Sequence, residues 1–449
     1  MYLRSPKRYS SRRRRGMSFR WLWLYLLTPI IVVVGIAVYE NQDELRPQIQ
    51  EALDGVVEQA NDNISTRQAP PPTATPDPAG TLEVANAAWS RGAITEATRL
   101  YQEIIGSVPN DVTSHYRYTL GLIMQDFDEE AINVSENTVT ANPFSADAWT
   151  IRAFAFNYGE RYEEAIPFAL QALELVPESQ ANADPNVAAI RARALAQLAL
   201  SYYELDRNEL ALSTVQDALE LNENSAEALY VRGLINWFYL IDRESALDDF
   251  VHAYEISPIA HYVASDLLYL REELGSVFNQ IGQVNDAQAQ YLEAEELVDL
   301  VLEQNPDYPG VLQWAGYYYR FVVGDPNQAF DYLNRCIQAN PEIASCHYEL
   351  GRVLDGREQY IEALASFEQA VELAPENPRY YWWAASATFD TSGCTTAFSY
   401  LRQGYQLALD FGNAQLISDY ESFFQLCGAP VNQPTPEATD EADPDSGDQ

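Results

Sequence analysis

Lysine is almost missing. Lys7 is the only one in 449 residues, so a Schiff-base or phosphate-gripping lysine is excluded from nearly the whole chain. Histidine is scarce too: His115, His252, His261 and His347 are the full set. No HxxxH, HExxH, CxxC or CxxH spacing joins them, so a metal site has little to build on. GxGxxG and the GxSxG nucleophile elbow are also absent. Acidic pairs such as Asp248-Asp249 and Glu295-Glu296 are common, but 66 acidic residues put such pairs on any solvated helix face, so they do not single out a glycosidase-type site. No enzyme activity, metal or cofactor is expected.

Positive charge is confined. The formal net charge is −39, with 27 basic residues against 66 acidic ones. Residues 1–20 hold Arg4, Lys7, Arg8, Arg12, Arg13, Arg14, Arg15 and Arg20 and no acid. The rest of the chain has 19 basic residues against all 66 acids. That surface repels nucleic acid, whose binding depends on cationic contacts to phosphate. It suits cationic partners or plain solubility.

After the basic stretch comes WLWLYLLTPIIVVVGIAVY, residues 21–39, without a charge. As a helix it would be about 28 Å long, close to the hydrocarbon thickness. Trp21, Trp23 and Tyr25 lie at the basic end, where amphipathic rings favour the interface. The flanking charges predict residues 1–20 in the cytoplasm and everything after Tyr39 across the membrane. The competing reading is a cleaved signal peptide ending at Gly35-Ile36-Ala37, against which the apolar run is long. Both readings place the main domain outside the cytoplasm, at a cell membrane.

Residues 40–61 then carry Leu45, Ile49, Leu53, Val57 and Ala60 at three- and four-residue steps. These predict a short amphipathic stalk helix or a weak coiled-coil seam. A proline-rich stretch, 68–80, predicts an extended spacer, so stalk and linker together fill 40–79. At the far end, 428–449 is acidic with almost no apolar residue and predicts a disordered tail.

Between 80 and 427 the chain repeats itself. Ala363, Phe367, Ala370 and Pro375 define one spacing. It recurs as Ala165, Ala169, Ala172, Pro177, as Ala246, Phe250, Ala253, Pro258, as Ala329, Leu333, Cys336, Pro341, and as Ala97, Tyr101, Ile104, Pro109. About 12 residues before each alanine lies another small residue: Ala85, Ala153, Ala199, Gly233, Gly275, Gly316, Gly351 or Ala385. Small side chains let antiparallel helices approach where they cross, aromatics fill the next turn, and the proline ends the second helix. The pattern resembles the tetratricopeptide repeat (TPR), a helical hairpin of about 34 residues. The resemblance implies an all-α, right-handed α-solenoid of about nine hairpins plus a capping helix at 414–427, preceded by the membrane helix. Units are expected at 80–111, 112–145, 146–179, 190–225, 226–260, 262–307, 308–343, 344–377 and 378–412. Residues 178–189 read as an inserted loop. The second helix of the sixth unit is expected to run long, from about 285 to 303. Thr119 and Ser135 predict looser packing in the second unit.

All four cysteines, Cys336, Cys346, Cys394 and Cys427, fall in the last third. An oxidising compartment permits disulfides. Hairpin geometry favours Cys336 with Cys346 and Cys394 with Cys427, the second pinning the cap. The alternative is that Cys336 is only the small core residue its repeat position demands.

The resemblance also implies that the first helices line a concave groove. Residues expected to face it are Phe154, Asn157, Tyr158, Tyr230, Trp237, Phe238, Tyr317, Arg320, Phe321, Tyr348, Arg352 and Trp382. Such a groove suits a protein or peptide partner, or the sugar rings of a cell-envelope glycan or exported polysaccharide. The other reading of each ring is packing between repeats. The function expected is an extracytoplasmic, membrane-anchored scaffold, and the lysine-poor composition points to a bacterial source.

Overall fold

The computed structural model describes residues 78–428. The candidate membrane span 21–39, the stalk at 40–61, most of the proline-rich linker and the acidic tail after 428 lie outside the described residues. Among those described, no helix is long and apolar enough to cross a membrane.

The described residues form helices and no strand. Unit one pairs α1 (Pro78–Ser90) with α2 (Ile94–Ile104), and unit two pairs α3 (Val112–Met124) with α4 (Asp128–Ala141). Unit three is α5 (Ala146–Tyr158) and α6 (Tyr162–Leu175). After the short α7 (Glu178–Ala181), unit four is α8 (Pro185–Glu204) and α9 (Asn208–Leu221). Unit five is α10 (Ala226–Phe238) and α11 (Arg243–Ile256), and unit six is α12 (His261–Gln280) and α13 (Val284–Gln304). Unit seven is α14 (Pro309–Tyr318) and α15 (Pro326–Ala339), joined through a π-helical turn at Tyr319–Val323. Units eight and nine are α16 (Ala344–Gly356) with α17 (Tyr360–Leu373), and α18 (Pro378–Ser392) with α19 (Cys394–Asp410). The closing helix is α20 (Ala414–Leu426). Apart from the short α7, which α6 bypasses to pack on α8, each helix packs on the next in the chain, and the first helices of units two to five and of units six to eight also pack on one another in succession.

Side-chain size sets the hairpin spacing. A Cβ on Gly351 would lie 2.5 Å from the Phe367 ring. On Gly233 it would lie 2.5 Å from Phe250, and on Gly316 it would lie 2.4 Å from Leu333. Those three partners are fully buried. The first helix therefore has a notch at the level where the second helix offers its largest side chain, and the two backbones close up around it. Ser145 and Ser225 start α5 and α10 by accepting backbone N–H groups of Ala148 and Ala228, which satisfies a donor the helix itself leaves open.

Three local expectations change. Helix α1 begins at Pro78, inside the stretch read as linker, because proline fits the first helical position, where its missing N–H is not needed. The 178–189 insertion is mostly helical: α7 occupies its start, and Asp184 caps α8 from Pro185. Unit two is not loose either. Thr119 and Ser135 are fully buried, and their hydroxyls donate to the carbonyls of His115 and Ile132, so neither leaves a polar group unpaired.

The notch predicts a measurable penalty. Gly351→Ala should gain about 1 kcal/mol of helix propensity but lose about 1–3 kcal/mol to overpacking against Phe367. Denaturant unfolding should therefore show net destabilisation, and Phe367→Leu in the same background should recover part of it. A stabilised Gly351→Ala protein would remove the notch as the spacing determinant.

Candidate functional site

The interior of the solenoid is filled. Tyr262 of unit six meets Phe154 and Tyr158 of unit three at ring centroid distances of 5.7 and 5.9 Å. It also meets Tyr230 of unit five at 5.0 Å, edge to face. Units three and six are far apart along the stack, so these rings touch across its axis. Tyr230 donates its hydroxyl to Asp266 at 2.7 Å and lies 3.4 Å from the Tyr158 hydroxyl. Nearby, Arg193 pairs with Asp147 at 2.6 Å and lies over the Tyr116 ring. Burial pushes the Tyr116 and Tyr262 hydroxyls far above the usual phenol range, with the Glu227 carboxylate adding to the effect. Both stay protonated and able to donate, as a buried tyrosine should.

The same winding brings the first units against the sixth and seventh. The Thr95 backbone N–H donates to Asn305 Oδ1 at 3.3 Å across 210 residues of sequence. Asn340 Nδ2 donates to the Gln125 carbonyl at 2.9 Å, across 215 residues. It also reaches the Asp126 carbonyl at 3.3 Å. Asn305 and Asn340 are buried. Gly92 backs directly on Gln304, whose Cβ would be 3.2 Å from a Cβ at Gly92. One superhelical turn thus spans about six units, and successive turns touch. Close to this seam, burial lowers the pKa of His261 to about 4, so that ring is neutral.

This changes the expected groove. Phe154, Asn157, Tyr230, Trp237 and Tyr348 are buried and offer no open wall. Asn157 is spent on the structure: its amide donates to the Gln197 carbonyl at 2.9 Å, and its oxygen accepts from Ser201 at 2.7 Å. Trp237 donates to Glu273 at 2.6 Å. Tyr348 lies tilted against Tyr380 at 5.0 Å and accepts from Arg352 at 2.8 Å. Arg352 itself lies 3.9 Å above the Trp383 ring. Arg320 pairs with Glu349 at 2.9 Å. Trp382 meets Phe423 of the closing helix at 6.0 Å. Tyr158 and Tyr317 are half-buried, while Phe238 and Phe321 remain exposed. Two causes act: curvature brings Tyr262 of unit six across the axis onto Phe154 and Tyr158, and side chains of adjoining units or the closing helix engage Asn157, Trp237, Arg320, Tyr348 and Trp382.

Sequence reasoning missed Tyr262, Tyr116, Asn305 and Asn340. The two asparagines each precede a proline at the end of a second helix, but Asn142 does the same and serves its own neighbourhood by donating to the Pro109 carbonyl. Cys336 is bonded to Cys346 and Cys394 to Cys427. The first pair brackets Asn340; the second ties the start of α19 to the end of the closing helix. Among the described residues no group of three or more His, Cys, Asp or Glu side chains could hold a metal ion.

Asn340 carries the seam prediction. Asn340→Ala leaves two carbonyls at the end of α3 without their donor and should cost about 1–3 kcal/mol. Hydrogen exchange should then speed up at residues 92–95 and 301–305, which lie along the same seam, and stay unchanged in α18 and α19. Uniform loss of protection, or none, would contradict a discrete seam.

Comparison with known proteins gives two family matches, a curated relative and similar solved structures. Two tetratricopeptide-repeat family models match residues 192–225 and 344–377, which are the described units four and eight. A TPR repeat-containing protein of Methanocaldococcus jannaschii, MJ1428, is 23% identical over 172 residues, covering 38% of this chain and 26% of the relative. The chain therefore spans about a quarter of the length of that curated relative. Among solved structures, the APC/C hetero-tetramer Cut9–Hcn1 is similar over 74% of this chain and 59% of its own, at 15% identity and a TM-score of 0.44. Yeast Tom70 is similar over 87% of this chain and 95% of its own, at 14% identity and a TM-score of 0.40. With two family matches in register with these hairpins, units four and eight are tetratricopeptide repeats, and the other hairpins are similar to them in build.

Proposed function

We propose that this protein is an interaction scaffold, tethered to a membrane by residues 21–39, with its repeat domain on the side opposite the basic residues 1–20. Tetratricopeptide repeats are protein-interaction modules, which supports the scaffold reading. The observation behind the finer reading is the closed superhelix. A solenoid whose turns are joined at Asn305 and Asn340 and whose axis is filled by Tyr262 is a rigid body. It offers partners its edges and outer face instead of a groove. Tethering is supported by the uncharged span and the eight basic residues before it. Export is supported by the two cysteine pairs, since structural disulfides persist in oxidising compartments.

The aromatic side chains that would have served as sugar platforms are mostly stacked on one another or on arginines, so the glycan reading gains nothing from the structure.

The test is capture from the native host. Cross-linking in intact cells followed by purification of the full chain should recover a small set of proteins linked to residues 78–428, and an enzyme reporter fused after residue 449 should be active only outside the cytoplasm. Retention on insoluble glycan with no protein partner would reverse the first half, and a cytoplasmically active reporter would reverse the second.

A further inference from the structure

In every hairpin of units one to eight a tight turn joins the two helices, and one residue of it is left-handed. That residue is Gly92, Asp126, Glu160, Asp206, Ile241, Gly282, Gly324 or Glu358 in turn. Seven are glycine or acidic. Ile241, with φ of 57°, is β-branched, the kind of residue least suited to that region. It is also 58% exposed, so core burial does not account for the strain. Strain retained without a folding benefit is a reason to look for a function.

The surroundings supply one. From unit five onward the turns become apolar at the surface. Leu240 and Ile241 project from unit five, Ile281 and Val284 from unit six, Phe321 from unit seven and Ile361 from unit eight. The last two are 64% and 75% exposed. Units three and four have Gly159-Glu160-Arg161 and Asp206-Arg207 at this level. The turns of units one and two are covered by the loops after units six and seven, about 210 residues later. The corresponding position for unit five falls beyond the closing helix, and no described element covers it or the turns that follow.

The ridge is stiff. Phe321 stacks on Tyr317 at 5.6 Å. Arg320, fixed by Glu349, lies near both rings. In unit five, Trp237 below the turn donates to Glu273, which also accepts from Arg243 at 2.7 Å. Rigid exposed aromatic and aliphatic side chains bind at low entropic cost. The charge around them is negative: Glu244, Asp286 and Glu362 begin the second helices just past the turns. The three arginines at these turns are engaged, Arg243 by Glu273, Arg320 by Glu349 and Arg357 by the Pro326 carbonyl. That charge disfavours pairing with a second copy of the same ridge. In units six to eight the first helices pack side by side. Their turns are therefore about 8–10 Å apart, close to the rise of two turns of an α-helix.

We propose that the turns of units five to eight form a docking ridge for a basic, amphipathic helix of a partner protein. The proposal rests on the scaffold reading and gives it a surface and a partner chemistry. Apolar residues on every second turn of the partner meet successive repeat turns, and its cationic flanks meet the acidic helix starts.

The test uses the full chain and three labelled peptides, read by fluorescence anisotropy: a Leu/Lys amphipathic helix, its Leu/Glu counterpart, and a Lys/Ser peptide with the charge but no apolar face. The Leu/Lys peptide should bind about tenfold or more tighter than either of the others. The combined change Leu240→Ser, Ile241→Ser, Phe321→Ser and Ile361→Ser should weaken it by about tenfold or more, with charge and fold unchanged, since several exposed anchors are lost together. Phe144→Ser, at an exposed ring away from the ridge, should leave binding as it was. Ile241→Gly should raise the melting temperature while weakening binding. Equal binding of the Lys/Ser peptide, unchanged affinity in the fourfold variant, or a fourfold variant that alters only self-association would each overturn the ridge. Native partners retained equally by wild type and the fourfold variant would remove the ridge and leave the scaffold reading standing.

Discussion

Tyr262 touching Phe154 and Tyr158 across the axis is the contact from which most of the molecule's behaviour follows. Rings from units half a turn apart cannot meet unless the solenoid is tightly wound. Tight winding then brings the first units onto the sixth and seventh, where Asn305 and Asn340 join them through side-chain to backbone hydrogen bonds. A repeat array normally transmits contacts only between neighbours. Here one large apolar core reaches from Ala85 to Tyr318, with smaller cores beside it in units three and four and in units seven to nine. The first six units should therefore behave as one cooperative body.

Closure also bears on the proposed function. An open superhelix presents its concave face; this one has filled that face with its own tyrosines. What remains for a partner is the outer surface and the edges, and the edges are not equivalent. The turns of units one and two meet a later superhelical turn, whereas those of units five to eight carry exposed apolar side chains. The disulfide between Cys336 and Cys346 lies on either side of Asn340, so the loop that holds the seam is itself cross-linked.

The repeat was legible from sequence because it rests on local rules. A small residue facing a large one at fixed spacing, and a proline after the second helix, identify each hairpin without reference to the others; Gly351 and Phe367 are a clear case. The second helix of unit six and the closing helix were readable for the same reason. The groove was not. Whether Tyr230 faces a cavity or a neighbour depends on the angle between units, which accumulates over six of them and leaves no mark at any single position. Asn340 shows the same limit: its Asn-Pro dipeptide looks like any other helix end, and only its partner 215 residues away distinguishes it. The left-handed Ile241 could have been noticed as the odd member among the turn residues, but only once the turns were in register.

Closure of the superhelix is the claim that matters most, and Gly92 with Gln304 tests it most directly. A Cβ at Gly92 would lie 3.2 Å from that of Gln304, near the 3.5–4.5 Å typical of a disulfide. The left-handed backbone at residue 92 opposes a side chain by about 1–2 kcal/mol, less than the roughly 5 kcal/mol expected from linking so long a loop. Gly92→Cys with Gln304→Cys, in the full chain under mild oxidation, should form one new intramolecular bond, mapped by mass spectrometry, with both native bridges intact. Two free thiols at 92 and 304 in a folded protein would contradict the closed superhelix.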